Sequence, residues 1–210
     1  MAETLQRLNS EMHDVVEQTQ QALVQVSSGR SGVGSGVIWQ SNGLIITNAH
    51  VVHRRENHLK VTLVNGDSYP AKVLARDDKH DLAAISIDAT DLPAIQLGDS
   101  RALQPGAWVM GVGHPWGIKG AVTAGSVIDV GQSLELALPH GDLIQVGLHL
   151  RPGHSGGPLV DAQGQLVGIS AMINGPDVGL AIPLHVVQEF IAQLDVPTDD
   201  GDDYNREMWV

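Results

Sequence analysis

The segment best suited to covalent chemistry is Pro152-Gly153-His154-Ser155-Gly156-Gly157-Pro158. A serine hydroxyl is a weak nucleophile until a neighbouring base takes its proton. Glycines on both sides let the backbone turn sharply. The hydroxyl then projects, and nearby N–H groups converge on one spot where a developing oxyanion is stabilised. The base and its orienting acid must come from elsewhere in the chain. His50 lies in Ile45-Ile46-Thr47-Asn48-Ala49-His50-Val51-Val52, at the end of an apolar run. Asp81 lies in His80-Asp81-Leu82-Ala83-Ala84-Ile85, directly ahead of another.

The serine segment alone fits two machines, the G-x-S-x-G elbow of α/β-hydrolases and the G-x-S-G-G loop of trypsin-like proteases. Chain order separates them. An elbow continues into a helix, which Gly156-Gly157-Pro158 would break, and it needs its acid and histidine downstream, where only His185 remains. The protease order is histidine, aspartate, serine, as found here. Taken singly, each residue has a duller explanation: a turn serine, a satisfied strand-end histidine, a turn-capping aspartate. In this order and context the three together read as a triad. A general base of this kind works when neutral, so activity should rise through about pH 6.5.

Positioning such a triad requires strands. Leu5, Leu8, Met12, Val15, Val16 and Thr19 fall at helical spacing and predict an amphipathic helix over residues 1–20. Short Val/Ile-rich runs separated by Gly, Asn and Asp turns follow: ALVQV, SGVIWQ, LIITNA, LKVTLV, AKVLAR and LAAISI. Asp91 to Gly106 has no strong period and reads as a connection. A second set comprises AWVMGVG, AVTAGSVIDV, LELAL, LIQVGLHL, PLVDAQGQLVGISAMI and VGLAIP, and LHVVQEFIAQL closes the body as a helix. Two strand-rich halves without βαβ alternation predict an all-β fold of two antiparallel barrels. The protease body is expected over 21–195: barrel 1 at 21–90, the connection at 91–106, barrel 2 at 107–183 and the helix at 184–194. An acidic tail follows at 196–210.

Composition narrows the chemistry. The chain has no cysteine, which excludes thiol catalysis, a disulfide framework and a Cys-based zinc site. Apolar residues make up 42% and aromatics only 3%, so the core must be aliphatic. Of the formal charge of −12, residues 195–210 contribute −5, with six acids and one arginine. No basic patch is visible, so no nucleic-acid partner is expected. The polar N-terminus suggests neither a signal peptide nor a membrane anchor, which makes a cytoplasmic location the default expectation. Of ten histidines, only His50 and His53 have i, i+3 spacing, and no metal or other cofactor is expected. His114, in GVGHPWG, reads as a turn residue with Trp116 packing nearby. The acidic tail reads most simply as a solvated, disordered end, with docking of the closing Met208-Trp209-Val210 in a groove or a neighbour's active site as the alternative.

The motifs SGVIWQSNGLIITNAHVV, DLAAISI, LGDSRALQPGAWVMGVGHPWG, LRPGHSGGPLVDAQGQLVGISAMI and GLAIPLHVVQEFI resemble the protease domain of the HtrA/DegP family, from about Val15 to Leu194. The resemblance implies a trypsin-like pair of six-stranded antiparallel barrels and protein quality control as the setting. It places the triad on His50, Asp81 and Ser155, and the oxyanion hole on the backbone N–H groups of Gly153 and Ser155. The substrate pocket strand would be Ile169-Ser170-Ala171-Met172-Ile173, and its apolar character implies cleavage after Val, Ala or Leu. Exposed polypeptide is the implied substrate, and a homo-oligomer, a trimer, the implied assembly. The family usually has Asn where this chain has His154. A protease fold that binds peptides without cutting them is the competing expectation.

Overall fold

A computed structural model describes residues 2–29, 33–52, 58–132, 142–173, 175 and 177–194. The strand expected at LELAL, the acidic tail over 196–210 and His53 lie outside the described residues. The chain opens with helix α1 (Ala2–Ala22) and closes with α2 (Leu184–Ile191). Between them the described residues form twelve strands. The first six are β1 (Leu23–Ser28), β2 (Val33–Ile38), β3 (Leu44–Asn48), β4 (Leu59–Thr62), β5 (Ser68–Asp77) and β6 (Leu82–Ile87). The second six are β7 (Trp108–Gly113), β8 (Ala121–Gln132), β9 (Asp142–Gly147), β10 (Pro158–Asp161), β11 (Leu166–Ile173) and β12 (Gly179–Pro183).

All pairings between these strands are antiparallel, and each set of six closes on itself in the orders β1-β2-β3-β6-β5-β4 and β10-β11-β12-β9-β8-β7. Closure removes sheet edges. The expected all-β pair of six-stranded barrels with a helix at each end is what the chain forms. The long run PLVDAQGQLVGISAMI is two strands rather than one. Asp161 turns the chain there, its carboxylate accepting the Gln163 and Gln165 N–H groups.

Each barrel has its own aliphatic filling. Val24, Val26, Ile38, Ile45, Val61 and Ile85 pack inside the first, and Val109, Ile144, Val146, Leu159 and Val167 inside the second. A third cluster lies between the barrels, where Val37, Ile46 and Leu82 meet Met110, Leu166 and Ile169. Val187 and Phe190 of α2 and Met12, Val15 and Val16 of α1 close over it. Burial of this shared apolar surface is the main force holding one barrel against the other. The candidate catalytic residues all fall on loops at that junction.

Candidate active site

Strand register brings His50 to Asp81. β3 and β6 pair from Leu44↔Ser86 to Asn48↔Leu82, so the residues just beyond β3 and just before β6 are neighbours. His50 occupies a single 3-10 turn, Ala49–Val51. Asp81 sits at φ +55, in the left-handed region that asparagine and aspartate tolerate better than most residues. Its carbonyl accepts Ala49 N–H (3.0 Å) and the buried Asn48 side-chain amide (3.0 Å). Its carboxylate accepts the His50 backbone N–H at 2.9 Å on Oδ1, and the ring Nδ1–H at 2.7 Å on Oδ2. The approach to Asp81 is built by Asp77, whose carboxylate accepts the Lys79 and His80 N–H groups and pairs with the His80 ring at 2.5 Å. Burial works to raise the Asp77 pKa, but these bonds to His80 and Lys79 hold it below the usual carboxylate value. Arg76 pairs with Asp78 at 2.6 Å and donates to the Val52 carbonyl, tying the two loops together.

With Nδ1–H given to Asp81, the His50 Nε2 lone pair is free to accept a proton. Asp81 is 9% exposed, so its charge acts through little water. This is the tautomer-fixing arrangement that a serine general base requires.

Ser155 arrives from the second barrel on the loop joining β9 to β10. Gly156 N–H donates to Ser170 O (2.8 Å) and Ser170 N–H to Gly157 O (2.9 Å), clamping the loop to β11. Ser35 of β2 reaches across from the first barrel, its N–H donating to Ser155 O at 2.8 Å. Gly156 has φ +83, and a Cβ there would come within 2.1 Å of Ser35 O. Only glycine permits that approach. The Ser155 hydroxyl donates to Ala171 O at 3.0 Å. Ala171 sits at a bulge of β11, where the register against β12 shifts between Ser170 and Met172.

Behind the loop lies a buried polar hub that the sequence reading missed. Ser35 Oγ–H donates to Gly153 O at 2.7 Å, and His114 N–H donates to the same carbonyl at 3.1 Å. Because the single Ser35 proton is spent there, its Oγ accepts from His114 N–H and from His114 Nδ1–H, each at 3.1 Å. Gly153 has φ +107, and a Cβ would lie 2.4 Å from His114 O. With its carbonyl held inward, neither Gly153 N–H nor Ser155 N–H has an acceptor among the described residues. Two free donors two residues apart, with His154 between them, are what an oxyanion hole needs. His154 N–H donates to Arg151 O (2.9 Å), tightening the same turn. The His154 ring is 3% exposed, with Nδ1 against the Arg151 backbone and Nε2 buried without a partner among the described residues. Burial lowers the pKa of both rings, that of His114 to about 4, with Lys119 and His154 adding to the effect.

His50, Asp81 and Ser155 open onto one cleft of about 530 Å³. Leu150, Ala171, Met172 and Ile173 give it an apolar wall, and Asp78 and Arg151 also line it. Of the expected pocket strand, Ala171, Met172 and Ile173 line the cleft, whereas Ile169 and Ser170 do not. Both are fully buried, Ile169 within the inter-barrel core and Ser170 against the nucleophile loop. In GVGHPWG, His114 opens a turn as expected, its carbonyl accepting Gly117 N–H at 3.1 Å, with its ring buried, whereas Trp116 is 68% exposed rather than packed inside. Trp116 has φ +51, and its ring stacks on the Arg151 guanidinium, 5.2 Å from the ring centroid. No described helix is long and apolar enough to cross a membrane.

Two closed barrels with this loop cluster between them define the trypsin-like class, and residues 34–169 match the family described as "Trypsin-like peptidase domain". Serine protease HTRA1A of Danio rerio is 38% identical over 194 residues, covering 86% of this chain and 40% of the relative. A Marinomonas protein described as "Probable periplasmic serine endoprotease DegP-like" is 39% identical over 170 residues, covering 79% and 36%. The solved HtrA-type protease AlgW with tripeptide superposes at a TM-score of 0.81 with 30% identity, covering 86% of this chain and 62% of that one. The chain belongs to the HtrA/DegP family of trypsin-like serine proteases. It spans about 40% of the length of the curated relatives first matched.

Proposed function

We propose that the protein is a serine endopeptidase in which His50 takes the Ser155 proton, Asp81 holds and stabilises the imidazolium, and the Gly153 and Ser155 N–H groups receive the oxyanion. The observation that carries this reading is the 2.7 Å bond from His50 Nδ1 to a buried Asp81 carboxylate, on the wall of the cleft that Ser155 enters. Attack requires Ser155 to rotate about χ1 from the Ala171 carbonyl towards His50 Nε2. The oxygen then bonds to the substrate carbonyl carbon, and the proton passes through His50 to the leaving amine. Water repeats the sequence in reverse to free the acid.

The cleft wall of Leu150, Ala171, Met172 and Ile173 favours a small or medium aliphatic side chain before the cut bond. Substrates are unfolded or exposed polypeptides, because only an extended strand can lie along β11. Leu5 and Leu8 on α1, 56% and 49% exposed, support a homo-oligomer, and light scattering tests it. The DegP-like relatives described as periplasmic make that compartment the alternative to the cytoplasmic reading, which cell fractionation decides.

The experiment is casein cleavage by wild type and Ser155→Ala, with labelling by an aliphatic organophosphonate in parallel. Cleavage and labelling by wild type alone is the expected result. The orientation of the Ser155 hydroxyl towards Ala171 favours a second reading, a peptide-binding module that does not cut. Absence of both signals from folded wild type would select it.

A further inference from the structure

We propose that Trp116, with Val33 and Val51, forms a subsite that selects a bulky apolar side chain on the residue after the cut bond. The inference rests on the peptidase reading above and extends it to the leaving-group half of the substrate. Beyond His50 and Ser155 opens a second cleft of about 520 Å³, lined by Val33, Val51, Trp116, Pro152 and the glycines 34, 117 and 153. A peptide whose acyl side lies along Ala171 to Ile173 must continue past His50, because His50 has to reach the departing nitrogen. Its next residue therefore enters this second cleft.

Trp116 is built into the wall and held there. The residue keeps a left-handed φ of +51, which bulky side chains avoid. Its turn is fixed by Gly117 N–H to His114 O (3.1 Å), Ile118 N–H to Pro115 O (2.9 Å) and its own N–H to Pro152 O (3.3 Å). The Arg151 guanidinium covers one face of the ring, so the indole is braced rather than free to swing. Fold stability gives no reason to strain a backbone while leaving a tryptophan 68% exposed. Val33, 41% exposed, adds apolar surface to the same cleft. Among the described lining residues His50 is the one ionisable side chain. Among the described residues of the wall none but His50 offers a charged substrate residue an ion pair, and burying its charge there is unfavourable.

The test uses the full chain and internally quenched peptides with Val before the cut bond and Ala, Leu, Phe or Asp after it. Wild type should cleave the Leu and Phe peptides with kcat/KM about tenfold above Ala, a ratio typical of filling an apolar pocket, with Asp lowest. Trp116→Ala should shrink the Leu/Ala ratio below about threefold. Labelling by a phosphonate that occupies only the acyl side should stay within about twofold of wild type, since that probe never enters the second cleft. Trp116→Phe should restore most of the preference. An unchanged Leu/Ala ratio in Trp116→Ala, or no preference in wild type, overturns the subsite while leaving the peptidase intact. Loss of labelling and cleavage in wild type would instead remove the peptidase reading. Should Trp116→Ala also lose labelling, Val33→Asp decides the matter. It should turn preference from Leu towards Lys, and an unaltered profile overturns the proposal.

Discussion

Acidification should weaken the fold through His114 in a pH window set by its surroundings. The ring is 6% exposed and gives Nδ1–H to Ser35, and burial, followed by Lys119 and His154, lowers its pKa from 6.5 to about 4. The unfolded chain therefore binds this proton more readily than the native one. The neutral-histidine contribution is complete above pH 6.5 and is lost as pH falls towards 4. Linkage across that interval amounts to about 2 kcal/mol lost at pH 5 and about 3 kcal/mol at pH 4. Urea unfolding followed by tryptophan fluorescence at pH 7, 6 and 5 measures the loss. His114→Asn has no titrating ring and is less stable at pH 7, but its stability should fall by about 2 kcal/mol less than wild type between pH 7 and 5. Parallel pH curves, separated by a constant offset, would refute the assignment of this proton to His114.

Asp81→Asn should leave the fold intact but lower kcat by about 10⁴, because an amide no longer fixes the donating Nδ1 tautomer of His50; steady-state peptide kinetics read this directly. Gly153→Ala forces a Cβ to within 2.4 Å of His114 O, so the loop must move, and kcat should fall by at least about 10², the value of one lost oxyanion donor. Ser35→Ala leaves the buried His114 Nδ1–H without its acceptor and should cost about 1–3 kcal/mol in thermal or chemical unfolding. The same variant frees the Gly153 carbonyl from its shorter bond, so phosphonate labelling should slow together with cleavage.

Much of this site was legible because the relevant signals are local. The glycines around Ser155, the strand ends before His50 and after Asp81, and the alternating apolar runs each declare themselves within about ten residues. Those signals also gave the two barrels. What escaped are features made by long-range approach. Ser35 looks like any serine between glycines; its role arises because β2 of one barrel meets the 153–157 loop of the other, more than a hundred residues on. The exposure of Trp116 and the burial of the His114 ring also escaped, because a left-handed φ turns the indole outward while Ser35 takes the imidazole inward, and neither effect has a sequence period. Ile169 and Ser170 belong to the apolar strand expected to form the pocket, but the β11 bulge is what decides that its cleft-lining residues are Ala171 to Ile173. A bulge of one residue leaves no mark in an apolar run.

Ser35 belongs to the first barrel, yet its backbone amide holds the Ser155 carbonyl and its hydroxyl holds the Gly153 carbonyl, both in the second. The Ser155 loop is thus tethered to the same half of the molecule that supplies His50 and Asp81. Any opening that parts the barrels separates His50 and Asp81 from Ser155 and unfastens the Gly153 carbonyl in one event. On the proposed assignment, chemical competence and inter-barrel cohesion form a single cooperative unit. On that same proposed assignment, a locally loosened molecule of this kind, still largely folded, would carry no residual hydrolytic activity with which to digest its neighbours.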